Sequence, residues 1–386
     1  MPQNTSPIDN FLTRDDTTVM KGIAICCMLM HHLWYFPSRI AHAPLDNLFT
    51  IFGVSTSVYF GLFGNICVPM FFFFGGYGIY KSCYGKKYDI LHRLKKLYFA
   101  YWKVFLIFIP IGFIFFSSQT PYCTDVFVYS RFSNFSAKEL VSNFLGFTAS
   151  YNREWWFLSS YAFALLTFPI IRGIIDRFSA KTNILIVITV TLLLTNIFPG
   201  IRLSKTLGVL GSNMLYFKFF CQSAPYAACF WMGAVTARNG LLDRLNESAK
   251  KNNLLNPVTD IAIWCIVIFL RQSELGISFD IFYIPALTVA SIDLLNRIRV
   301  LKKGFNQLGR QSTFMWLIHP FFCFYFGTIA KIVSAPRHII LCLLVLIAMS
   351  YLASVIVDQF WKGVALGYTK LRLICPSRGR RQDSSR

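Results

Sequence analysis

Stretches of about 20 apolar residues recur along the whole chain, separated by short polar connectors, and a hydrocarbon core about 30 Å thick sets that length. No water is present there to satisfy a peptide group, so such runs cross as helices. About ten runs can be marked, at 19–36, 58–80, 97–116, 155–171, 182–198, 219–237, 257–270, 278–295, 313–332 and 339–361. The pattern predicts an all-α polytopic transmembrane helix bundle with no large soluble domain. A short segment, 1–18, precedes a membrane domain at 19–361, and a basic tail, 362–386, follows it.

In a soluble chain a net charge of +21 would suggest nucleic acid. Here the basic residues sit in connectors and the tail, where topology explains them better, so no nucleic acid is expected. With the N-terminus inside, 27 Lys and Arg fall on inside segments and 10 on outside ones, which predicts ten spans with cytoplasmic N- and C-termini. The eleven cysteines are scattered, without CxxC or metal-ligand spacing, so no metal is expected. The polar start, with Asp9, Asp15 and Asp16, lacks a basic n-region, and the first helix should stay in the mature chain. The long connector 117–153 reads equally as a substrate cover or as a solvated link. The end of the tail, 371–386, should be disordered and drawn to anionic lipid headgroups.

The first run, "MKGIAICCMLMHHLWYF", carries ionisable groups where they are costly. Lys21 and His32 lie eleven steps apart, which puts them within about 20° on a helix and about 16 Å apart along its axis. A donor entering from the cytoplasm could bind its phosphates at Lys21 and bring a thin arm up to His32. Coenzyme A thioesters have that shape, and a neutral imidazole could act as a general base. His31 points about 100° away from its neighbour and must do something else. The bland alternative is a snorkelling lysine and histidines bonding across a helix interface.

Four more stretches bear on the choice. "VPMFFFFGGYGIYK" (68–81) joins a phenylalanine run to Gly75, Gly76 and Gly78. "HRLKKLYFAYW" (92–102) opens a span with Arg93 and Lys96, three apart and so on one face, suited to phosphate or to topology alone. "NREWWFLSSYAFALLTFP" (152–169) sets Glu154 beside a tryptophan pair, as an interfacial belt or as a carboxylate able to orient a histidine or an acceptor sugar. "FMWLIHPFF" (314–322) places His319 mid-span, just ahead of a kinking Pro320.

Together these blocks resemble the integral membrane acyltransferase 3 family, bacterial multi-pass proteins related to O-acetylases of surface glycans. Lys21 and His32 are similar to its basic-residue, ten-spacer, histidine pattern; 68–81 to its "FF...SGY" block; Arg93 to Lys96 to its basic pair; 155–161 to its "WFLS" block; and 317–320 to its "LIHP"-like segment. Gly75 stands where the family has serine, Lys96 where it has arginine, and Tyr161 where one branch has glutamate, leaving Glu154 as the nearby carboxylate.

The resemblance implies an O-acyltransferase, in practice an O-acetyltransferase, of the cell inner or plasma membrane. Its donor would be cytoplasmic acetyl-CoA and its acceptor a hydroxyl of a cell-envelope polysaccharide or lipid-linked glycan. His32 would be catalytic, as base or transient acyl carrier, with His31 or His319 orienting it or polarising the thioester. Lys21, Arg93 and Lys96 would hold the donor's phosphates. A transporter or flippase with a histidine proton relay is the rival from another class, and a non-catalytic scaffold ranks below both.

Overall fold

The computed structural model describes residues 9–203, 215–273, 276 and 278–374. The structure is 77% helical, and among the described residues the named strands amount to one small hairpin of two residues a side, β1 (Thr50–Ile51) with β2 (Val54–Ser55). The helices are α1 (Arg14–Tyr35), α2 (Thr56–Gly64), α3 (Cys67–Cys83), α4 (Ile90–Phe115), α5 (Val126–Tyr129), α6 (Ala137–Phe144), α7 (Trp156–Arg177), α8 (Ala180–Leu203), α9 (Leu215–Asn239), α10 (Leu241–Lys251), α11 (Pro257–Leu270), α12 (Asp280–Arg297), α13 (Arg299–Pro320), α14 (Gly327–Ser334) and α15 (Ile339–Ile374).

Every apolar run marked in the sequence lies largely on helix, with 58–80 interrupted at Asn65 and Ile66. Among the described residues, four helical stretches are long and apolar enough to cross a membrane: Thr56–Cys83, Ile90–Phe115, Arg153–Arg177 and Ile339–Gly367. A fifth is the bent pair Arg299–Tyr325 with Gly327–Ser334. The N-terminal segment is already helical from Arg14, and the basic tail stays helical through Ile374. Residues 1–8 and 375–386, parts of the expected N-terminal segment and disordered tail, lie outside the described residues.

α1 starts at a reciprocal cap, in which the Thr13 hydroxyl accepts from the Asp16 N–H and the Asp16 carboxylate accepts from the Thr13 N–H. It then packs along α13, and glycines let the two backbones meet. A Cβ on Gly22 would lie 2.0 Å from the Phe305 carbonyl oxygen, and one on Gly309 would lie 1.8 Å from that of Thr18. Close helix approach of this kind needs residues without side chains.

The expected span 313–332 is broken. Pro320 ends α13, a π-helical turn follows over Phe321–Tyr325, and α14 leaves at 90°. The connector after α4 holds the bend. Gln119 donates to the Tyr325 carbonyl (3.0 Å) and accepts from the Gly327 N–H (2.6 Å), while the Tyr122 hydroxyl donates to the Phe324 carbonyl. Backbone groups freed by the break are thereby satisfied, as a buried irregular segment requires.

Candidate active site

The break lies beside a pair of imidazoles. Pro320 has no N–H for the Trp316 carbonyl, and that carbonyl lies beside the His319 ring. His319 is fully buried, and its Nδ1 stands 3.0 Å from the Met315 carbonyl. A carbonyl accepts, so Nδ1 carries the proton and the neutral ring presents a lone pair at Nε2. That Nε2 lies 2.8 Å from Nδ1 of His32. His32 therefore donates from Nδ1, and its Nε2 is left as a bare lone pair. His32 is half-buried, and α1 and α13 bring the two rings together. This assignment follows from the bonding pattern, as hydrogen positions always do at histidine.

His31 takes no part in that pair. Its Nδ1 donates to the Gly61 carbonyl on α2 (2.7 Å), and its ring stacks on Tyr35. The divergence expected from helical phase thus appears as different partners.

A cavity of about 120 Å³ is lined by Lys21 and by Met28, one turn before His32, together with Gly75, Leu97, Tyr161 and Trp316 among others. His32 itself is not among the lining residues. Lys96 and Arg14 are within electrostatic reach of Lys21, and none of the three has an ion-pair partner among the described residues. Arg93 points elsewhere. Its Nη2 donates to the Ser82 hydroxyl (2.6 Å), and the guanidinium lies within electrostatic reach of Tyr161 on the cavity wall. Neither Arg93 nor Lys96 is itself on the cavity lining; Lys96 lies towards Lys21 and Arg93 towards Tyr161.

Among the described residues Glu154 bonds to no histidine. Its Oε1 pairs with Arg39 Nη1 (2.9 Å) and its Oε2 accepts from the Tyr325 hydroxyl (3.1 Å). Asp125 completes the cluster, 3.5 Å from Arg39 Nε and 3.4 Å from Arg153 Nη1. The Arg39 guanidinium lies 4.4 Å from the Phe36 ring centre and 5.4 Å from that of Phe324, and both rings pack against His32. Sequence reasoning passed over Arg39 and Asp125. The available signal was that Arg39 is the one Lys or Arg between the first two apolar runs.

A family profile described as an acyltransferase domain matches residues 15–357. The chain belongs to the acyltransferase 3 family. Membership makes this protein a membrane acyltransferase, and the matched stretch contains the imidazole pair, the cavity and the Arg39 cluster. Searches of curated proteins and of solved structures each returned no match.

Proposed function

We propose that this acyltransferase 3 protein is an O-acetyltransferase that moves the acetyl group of cytoplasmic acetyl-CoA to a hydroxyl of a cell-envelope polysaccharide or lipid-linked glycan. The protein crosses the inner or plasma membrane about ten times, with both termini in the cytoplasm. Donor phosphates bind at Lys21 and Lys96 with Arg93 beside them, and the thioester reaches the imidazole pair along the cavity. His32 Nε2 takes the proton of the acceptor hydroxyl. The oxygen attacks the thioester carbonyl, a C–O bond forms, the C–S bond breaks, and the thiolate leaves with the proton from His32. His319 holds His32 in the tautomer that keeps Nε2 free, and Glu154 acts at a distance by holding Arg39 over the rings beside His32.

The observation that carries this reading is the relay His32 Nδ1, His319 Nε2, His319 Nδ1, Met315 carbonyl, which fixes a lone pair on the half-buried imidazole. The test is purified protein in lipid nanodiscs with labelled acetyl-CoA and a glycan acceptor. Thiol release and label on the glycan are expected from wild type, and neither from His32→Ala. A folded His32→Ala protein that turns over at the wild-type rate overturns the assignment.

A further inference from the structure

Tyr161 has no task in the reaction as described, yet it stands on the wall of the cavity. Its ring is fixed by stacking on Phe157 (centroids 5.5 Å apart, 16° between planes) and by edge contacts with Phe72 and Phe230. The hydroxyl is held by nothing of the kind. Three other tyrosines in the bundle give their proton to a protein oxygen: Tyr77 to Asp9, Tyr101 to the Asn143 carbonyl, Tyr325 to Glu154. The side chain is half-buried, and its hydroxyl, on the cavity lining, has no hydrogen-bond partner among the described residues and is free to serve a ligand there.

Gly75 explains how the phenol fits. A Cβ there would lie 2.6 Å from Tyr161 Oη and 2.9 Å from its ring, so a hydrogen at this position leaves the hydroxyl in place on the wall. Both residues are departures from the family pattern, and the structure puts them in contact. They make one unit: a missing side chain and the hydroxyl that uses its space.

The cavity is otherwise lined mainly by apolar groups, and α1 contributes to it Lys21 and, two turns on and a turn short of His32, Met28. The arm of coenzyme A between its phosphates and its sulfur is an aliphatic chain interrupted by two amides. An amide carbonyl drawn into apolar surroundings needs a donor, and a well-placed hydroxyl is how such sites fix a ligand's position. We propose that the Tyr161 hydroxyl donates to an amide carbonyl of the donor's arm and sets how far the thioester reaches towards His32. The proposal rests on the thioester-donor reading above. Tyr161 is a positioning residue, and no bond is made or broken there.

The test compares wild type with Tyr161→Phe, using acetyl-CoA and S-acetyl ethanethiol, a thioester with no amide. Removing one hydrogen bond to a buried group should raise KM for acetyl-CoA about fivefold to tenfold, while kcat stays near wild type. The amide-free thioester should show equal kcat/KM in both proteins. Gly75→Ala, which crowds the hydroxyl, should raise KM in wild type and add less in a Tyr161→Phe background. An unchanged KM in Tyr161→Phe overturns the proposal, and so does an equal loss with both thioesters, which would mark a packing effect. Wild type that neither binds nor cleaves acetyl-CoA overturns the donor reading, and this proposal with it; wild type that works normally beside an unaltered Tyr161→Phe overturns this proposal alone.

Discussion

The two ends of α1 handle positive charge in opposite ways. Past its C-terminal end, Arg39 is enclosed by Glu154 and Asp125 and capped by two aromatic rings, and Arg153 shares the same aspartate. Near its N-terminal end, Lys21 faces Lys96 and Arg14 with no carboxylate paired to any of them among the described residues. One cluster is finished within the protein; the other repels itself and is poised for an anion from outside. The imidazole pair lies between them, nearer the finished end. On the proposed reading, protein charge fixes geometry on one side of the imidazole pair and receives the donor's phosphates on the other.

The largest expected effect lies between the two ends. His32→Ala should lower kcat by about 10²–10⁴-fold, the usual worth of a positioned base, with a smaller loss of stability, about 1–3 kcal/mol, from the unpaired Nε2 of the buried His319. Next comes the finished cluster. Glu154→Ala leaves a poorly exposed guanidinium with one carboxylate fewer, and breaking a buried pair in this way costs about 3–5 kcal/mol, read as a lowered unfolding midpoint. If that variant kept its stability and lost donor affinity instead, the contrast between the ends would collapse.

Lys21→Ala should do the reverse, raising KM for acyl-CoA by about tenfold or more, since a hydrogen bond to a charged group is worth about 1.5–3 kcal/mol, with stability intact. The smallest effect concerns Asp16, ahead of the membrane run. Burial opposes its charge, but Lys302 at 2.6 Å and the Thr13 cap outweigh this and pull its carboxyl below the usual range. Because its folded-state pKa lies below the unfolded value of about 3.9, its contribution is present above that pH and fades as pH falls through the folded value. Asp16→Asn should cost about 1 kcal/mol at neutral pH and flatten the acid limb of the stability curve.

Much of this was legible in sequence, because helical phase is local. The apolar runs located the helices, and the 100° step separated His31 from His32 before any partner was known. Lys21 and Met28 do share a cavity wall, though His32 stands beyond that lining. What sequence could not supply were meetings between distant segments. His319 touches His32 across 287 positions, Arg39 meets Glu154 across 115, and Gly75 receives Tyr161 from another helix. Pro320 announced a kink, but a right-angled break also needs Gln119 and Tyr122 to satisfy what the break exposes, and no periodicity marks those residues. The connector 117–153 had been open between cover and link; part of it proves to brace the bent helix.

Gly22 and Gly309 each sit ten residues, about three helical turns, ahead of His32 and His319. A methyl group at either would wedge the backbones apart there, and a stiff rod pivoted at its base swings most at its tip. The gauge between the two imidazoles is thus set by a pair of hydrogen atoms that lie off the cavity lining.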